Sequence, residues 1–190
     1  MVWRRDYSRK EVEELLSAIE RQATDAVAFG EHAQRDISED RFSSFLIFRK
    51  KVEEVRALAA LTEERLMNGG GAKLTDLQTE FERVDLLLTG LLARSTRNYF
   101  AAMRDDQPLP IGARELFEPE LKIIEEMRAK LDRPQYTGKV SSTVIEDLEA
   151  TAAMIRKVIS RAPSLPDFSD APSPPKPTKR LSNLGRPIRI

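Results

Sequence analysis

The chain is 190 residues long, 41% hydrophobic and 33% charged, with 31 basic residues against 31 acidic ones. That is room for one domain with a core plus an appended segment, and the zero net charge gives no overall field to draw the chain to nucleic acid or acidic lipid. It has no cysteine and a single histidine, His32, which excludes disulfides, thiolate nucleophiles, cysteine-ligated metals and any metal site needing two histidines from one chain.

The start, "MVWRRDYSRKEVEELL", has no apolar core of the kind a signal peptide needs. The first helical segment is predicted from Ser8, where "S-R-K-E" spells a capping box: the serine hydroxyl accepts from the third helical N–H and Glu11 reaches back. Val12, Leu15, Leu16, Ile19, Ala23, Ala26 and Val27 recur at three and four and define one apolar face. Arg9–Glu13, Lys10–Glu14 and Arg21–Asp25 are opposite charges four apart on the wet side. Gly30 weakens the helix and is placed near its end, with His32 in the loop beyond.

The second segment is predicted from Ser38, with Glu39 and Asp40 at the positive end of the helix dipole. Phe45, Phe48, Val52, Val55, Ala59, Thr62 and Leu66 follow heptad spacing. Phe42, Leu46, Leu58 and Leu61 widen the stripe beyond a two-stranded coiled-coil seam, so this helix packs on at least two neighbours. Asn68–Gly71 ("NGGG") stops it, and the short turn implies a helical hairpin.

The third segment opens with "T-D-L-Q" at Thr75, a second capping box, and runs to about Asp105. Leu77, Phe81, Val84, Leu88, Leu91, Ser95 and Ala102 share a face, and Leu86, Leu87 and Leu92 make the middle apolar nearly all round, as in a central helix. Its stretch Leu86–Met103 has bilayer length, but Arg94 and Arg97 lie mid-span and would cost roughly 2.5–3.5 kcal/mol each at a bilayer centre. A buried helix of a cytoplasmic protein is the expectation. The fourth segment is placed from Pro119, a residue suited to a first helical turn, with Leu121, Ile124, Met127 and Leu131 on its face. The fifth is placed from a third capping box, Thr143 with Glu146, and is lined by Val144, Leu148, Ala152, Ile155 and Ile159. The fold class is therefore all-α: an elongated antiparallel bundle of four to five helices over residues 1–162.

Residues 163–190 contain seven prolines and read as an extended, disordered tail. All acidic residues precede Ala171, while Lys176, Lys179, Arg180, Arg186 and Arg189 follow it, so everything up to Asp170 is net acidic by five. "PPKPTK" (Pro174–Lys179) has the form of a polyproline ligand for an aromatic groove. Beyond it Leu181, Leu184, Ile188 and Ile190 punctuate the basic stretch. A proline-rich linker with aliphatic anchors at its tip suits a docking peptide: the linker gives reach, the anchors fill pockets, and the positive charge finds an acidic partner. The layout resembles the tails by which cargo proteins are loaded into encapsulin shells, on the residues "LSNLG" alone.

No phosphate-binding glycine loop and no nucleophile elbow occurs. The adjacent carboxylates Glu13/Glu14, Glu53/Glu54, Glu63/Glu64 and Glu125/Glu126 point about 100° apart on a helix and read as solvated faces. "ARSTRNYF" (Ala93–Phe100) interleaves arginines with aromatics, as a polyanion site does, but without a basic domain around it reads first as a core helix whose arginines pair with neighbouring acids. The expectation is a protein without catalytic residues, cofactor or metal. It is read as an adaptor or assembly protein whose tail engages a protein partner, with self-association of the bundle open. Nucleic-acid binding through the tail and Arg94/Arg97 is the alternative.

Overall fold

The computed structural model describes residues 8–37, 42–68, 74–106 and 108–166. Within them the chain forms five α-helices, α1 (Arg9–Asp36), α2 (Ser43–Asn68), α3 (Thr75–Ala102), α4 (Ala113–Lys130) and α5 (Ser142–Arg161), with one 3₁₀ turn at Pro134–Tyr136. Each of the first three is about 40 Å long at 1.5 Å per residue, so the all-α, elongated bundle is as expected.

The helices run up, down, up, down, up. Arg9 of α1 pairs with Asp76 of α3, and Gly30 of α1 lies against Ser95 of α3, so these two helices run in the same direction. Gly90 of α3 meets Val144 of α5, and Lys157 of α5 pairs with Asp105 just past α3, so α5 runs the same way. The three form one layer with α3 in the middle. α2 packs chiefly on α1 and α4 on α5, and both return in the opposite direction as a second layer. That layer has a seam between α2 and α4, and α3 forms its floor.

The α2 stripe is buried as its spacing predicts, from Phe45 through Phe48, Val52, Val55 and Ala59 to Thr62. Phe45 is the hub of an aromatic cluster at one pole of the bundle. It stacks on Tyr99 at 4.4 Å and meets the rings of Phe100 and Phe117 edge-on at 5.8 and 5.6 Å. Rings at such offsets add about 0.5–1.5 kcal/mol per pair beyond the area they bury. The cluster joins α2, α3 and α4 where no continuous apolar stripe does.

Several boundaries differ from the sequence reading. The Ser8 capping box forms, with Glu11 N–H donating to the serine Oγ at 3.3 Å and Ser8 N–H donating to the Glu11 carboxylate at 2.8 Å. The other two boxes do not. Thr75 is the first helical residue, and the cap position is taken by Leu74, whose side chain has no cap hydrogen bond to offer. In α5 the cap is Ser141, whose Oγ accepts from Thr143 N–H. α2 starts at Ser43, after Phe42 in the left-handed region at φ 81; the cap expected at Ser38 lies outside the described residues. Arg9–Glu13 and Lys10–Glu14 pair, whereas Arg21 donates to the carbonyl of Ser17 instead of meeting Asp25.

Two residues expected at helix ends sit inside helices. α4 begins at Ala113, behind Gly112 at φ 88, and passes through Pro119. The ring removes one helical hydrogen bond, but Ala113 and Phe117 ahead of it are fully packed and hold that turn. α1 passes through Gly30 because the residue lets three helices close up. A β-carbon there would lie 3.0 Å from the Phe48 ring and 3.2 Å from Ser95 Cβ. Gly30→Val is therefore expected to destabilise by about 1–3 kcal/mol through overpacking, read as a lower midpoint in urea. An unchanged midpoint would show that the approach is not tight.

Candidate functional site

The residues expected to bind a partner (Lys176, Lys179, Arg180, Leu181, Leu184, Arg186, Ile188, Arg189 and Ile190) lie outside the described residues. What the structure places is the root of that segment. Past α5, Arg161 donates to the carbonyls of Arg104, at 3.0 Å, and Asp105, gripping the end of α3. The chain then crosses to α4. Leu165 N–H donates to Glu115 Oε1 at 2.8 Å, and the Leu165 side chain covers Gly112, its Cδ2 3.2 Å from where a β-carbon would stand. The N–H holds the Glu115 carboxyl below the usual carboxylate range. Residues 163–166, assigned to the tail by their prolines, thus follow the body, and the segment leaves from a fixed point at the α4 end of the molecule.

The arginine–aromatic stretch resolves into core and ion pair. Tyr99 and Phe100 are 1% and 3% exposed, inside the aromatic cluster. Arg97 donates to Asp147 Oδ1, and Arg94 Nε lies 3.8 Å from Asp147 Oδ2. Asp147 is itself buried on α5, and Thr151 Oγ1 donates to its carbonyl at 2.5 Å. Arg104 is paired with Asp106. His32, expected in a loop, is on α1, with Nδ1 2.6 Å from Asp36 Oδ2; Ser44 Oγ donates to the same oxygen at 3.0 Å. The histidine thus helps tie the end of α1 to the start of α2.

The seam between α2 and α4 opens into a cleft of about 520 Å³. Its α3 floor is apolar at Leu88 and Leu92, and Ala59 and Ala60 of α2 and Ala129 of α4 keep the walls small. Two ion pairs bridge the walls, Arg56–Glu126 and Arg133–Glu63, each at 2.9 Å. At its base lies Asp85 of α3, 2% exposed. Lys130 Nζ meets Asp85 Oδ1 at 2.6 Å, and the fully buried Tyr136 donates its hydroxyl to Oδ2 at 2.5 Å. Burial and the adjacent carboxylate together push the Tyr136 phenol up, so it stays protonated and donating. The cluster pins the Pro134–Tyr136 turn to the middle of α3.

Further along the same seam, Glu120 of α4 is completely buried, and neither carboxylate oxygen has a hydrogen-bond partner. The nearest cations, Arg49 and Arg56 on α2, are committed elsewhere: Arg49 to Glu53 and the carbonyl of Leu116, Arg56 to Glu126. Burial pushes the carboxyl up to about 7, against the pull of the two arginines.

The solvated-face reading of the adjacent carboxylates holds for most of them, although Glu63 is largely covered and bonded to Arg133 and Gln135. Sequence reasoning missed three inward acids, Asp85, Asp147 and Glu120. Their signals were there. Asp85 is the lone acid in "VDLLLTGLL", and Glu120 stands in register with Phe117, Ile124 and Met127 on the buried stripe of α4. Among the described residues no group of three or more His, Asp or Glu side chains is placed to hold a metal ion, and no helix is long and apolar enough to cross a membrane. Comparison with known protein families, with curated proteins and with solved structures finds no match.

Proposed function

We propose that this protein is a non-enzymatic adaptor or assembly protein, a stiff five-helix body that presents its C-terminal segment to a protein partner. The observation that carries this reading is the anchored root. Leu165 is fixed on Gly112 and Glu115, and 24 residues follow Pro166, holding every one of the expected anchors. A fixed root and a proline-rich spacer give a docking peptide defined reach at low entropic cost. The polar groups of the α2–α4 cleft are spent on one another, which supports a structural role for them. Deleting residues 167–190 is expected to leave the thermal midpoint of the body within about 2 °C, because none of the contacts above is removed, and to abolish capture of partner in a crosslinking pull-down. Undiminished capture by the shortened chain sinks the reading.

Polyanion binding is the second reading. One observation favours it: the Arg94 guanidinium is 63% exposed and only loosely held by Asp147. It predicts a gel shift that weakens steeply with salt, and no shift at low salt ends it.

A further inference from the structure

The outer face of the three-helix layer is apolar where α3 is least covered. Leu87 and Leu91, one turn apart, are 55% and 43% exposed. The sequence reading buried Leu91 in the core and made α3 apolar all round as a central helix; the central position is right, but this edge of it has no neighbour. Between these leucines and Ile19 and Ala23 of α1 runs a groove of about 220 Å³. Its α1 wall is negative. α1 carries seven acidic and four basic residues, the largest acidic excess of the five helices. Glu20 at the groove's edge makes no ion pair within 4 Å among the described residues, and neither do Asp25 or Glu31 on the same helix. Glu13 and Glu14 line the adjoining concavity with Lys10 and Arg21, partly answered by Arg9 and Lys10, and Arg83 of α3 lies near enough to Glu20 to feel its charge.

We propose that this groove is the docking site of the chain's own C-terminal segment, Leu181–Ile190: its aliphatic side chains sit against Leu87 and Leu91, and its arginines face the acidic wall of α1. Chemistry and length both favour this occupant. The segment alternates Leu181, Leu184, Ile188 and Ile190 with Arg180, Arg186 and Arg189 and has no acid, so it matches an apolar floor with a negative wall. Leu181 lies fifteen residues beyond Pro166. Fifteen residues span about 20 Å as a coil and up to about 47 Å as a polyproline helix. The groove lies about 16–22 Å below the end of α3 and, from the root on α4, about two helix spacings, roughly 20 Å, across the layer and one spacing, about 10 Å, through it. That path of about 30 Å is within reach. The inference rests on the reading of the segment as a docking peptide and adds that the body competes with the partner for it.

The cysteine-free chain makes the test direct. Full-length protein carrying Ala28→Cys on the exposed side of α1 and Ser182→Cys, spin-labelled at both sites, is measured by pulsed dipolar spectroscopy. The expected result is a narrow distance peak below about 30 Å at low salt. It should be lost in about 1 M salt, where charges are screened beyond about 3 Å, and lost on Leu87→Asp with Leu91→Asp, two half-exposed positions, in a variant whose circular dichroism shows the helical body intact. Mixing singly labelled chains should give no peak. A broad distribution indifferent to salt and to the leucine changes overturns the proposal, and so does a peak that appears only between chains. The partner reading is judged apart from this. If the distribution is broad but the pull-down still depends on residues 167–190, the docking peptide stands and only the self-docking fails. If self-docking holds, Leu87→Asp with Leu91→Asp should strengthen partner capture by the factor by which the segment was sequestered.

Discussion

Replacing Glu120 by methionine is expected to stabilise the protein at pH 8 by about 3 kcal/mol more than at pH 4.5. The sign follows from where the proton goes. The Glu120 carboxyl is held at about 7 in the folded protein by burial without a partner, against an ordinary value of 4.5. Below about pH 4.5 both folded and unfolded chains hold the proton, and the site has no pH-dependent cost. As pH rises from there to about 7 the unfolded chain releases its proton while the folded one keeps it, so stability falls throughout that window and levels off above it. A rise from 4.5 to about 7 at 1.4 kcal/mol per pH unit is about 3.5 kcal/mol in full, of which about 3 kcal/mol falls between pH 4.5 and pH 8 because the unfolded carboxyl is already half ionised at pH 4.5. Methionine removes the titrating group, keeps helix propensity and fills similar volume. Glu120→Gln should show the same loss of pH dependence with a smaller net gain, since an unpartnered buried amide costs about 1–3 kcal/mol itself. Urea denaturation of the three proteins at both pH values decides it. A gain for methionine that is equal at pH 4.5 and pH 8 would mean that Glu120 is ionised and satisfied in the folded state.

Asp85→Ala is expected to cost about 3–5 kcal/mol, the range for breaking a buried ion pair from one side. The removed carboxylate serves two donors at once, Lys130 at 2.6 Å and the buried Tyr136 at 2.5 Å. Tyr136→Phe removes the phenol's hydrogen bonds to Asp85 and Gln135 without leaving a charge unpaired and should cost about 1–2 kcal/mol. A control separates the loss of a partner from the loss of the pair: Asp85→Leu combined with Lys130→Met removes both charges and is expected to recover most of the deficit. The measurement is again the free energy of unfolding in urea. A loss under about 1 kcal/mol for Asp85→Ala would show that water or another cation replaces the pair.

The helices were legible in the sequence wherever an apolar stripe ran unbroken. The α2 residues from Phe45 to Thr62 recur at heptad spacing, and that spacing alone predicts their burial. Boundaries were less legible, because they depend on contacts from other helices. Gly30 reads as a helix end on propensity, but its lack of a side chain is what admits Phe48 and Ser95. Pro119 reads as a beginning, but the buried Ala113 and Phe117 carry α4 back past it. Thr75 and Thr143 match a capping pattern whose register is shifted by one or two residues in the folded chain, a shift no local rule encodes. In α3 the hydrophobic run from Leu86 to Leu92 says that the helix is central but not that one edge is left without a neighbour, since Leu87 and Leu91 look the same in sequence as Leu88 and Leu92. The three inward acids were hidden by a general rule that charges lie outside. That rule fails where a partner sits across the core, as Lys130 and Arg97 do for Asp85 and Asp147, and at Glu120 it fails without one.

An odd number of passes has a consequence for how the molecule is held. Ser8 stands at one pole of the bundle and Pro166 leaves from the other, about 40 Å away along the helix axes. A partner that binds the basic C-terminal residues would meet the molecule from one end of its long axis, with the first helical turn at the far end. Many copies captured on a common surface would then stand like bristles, all pointing the same way.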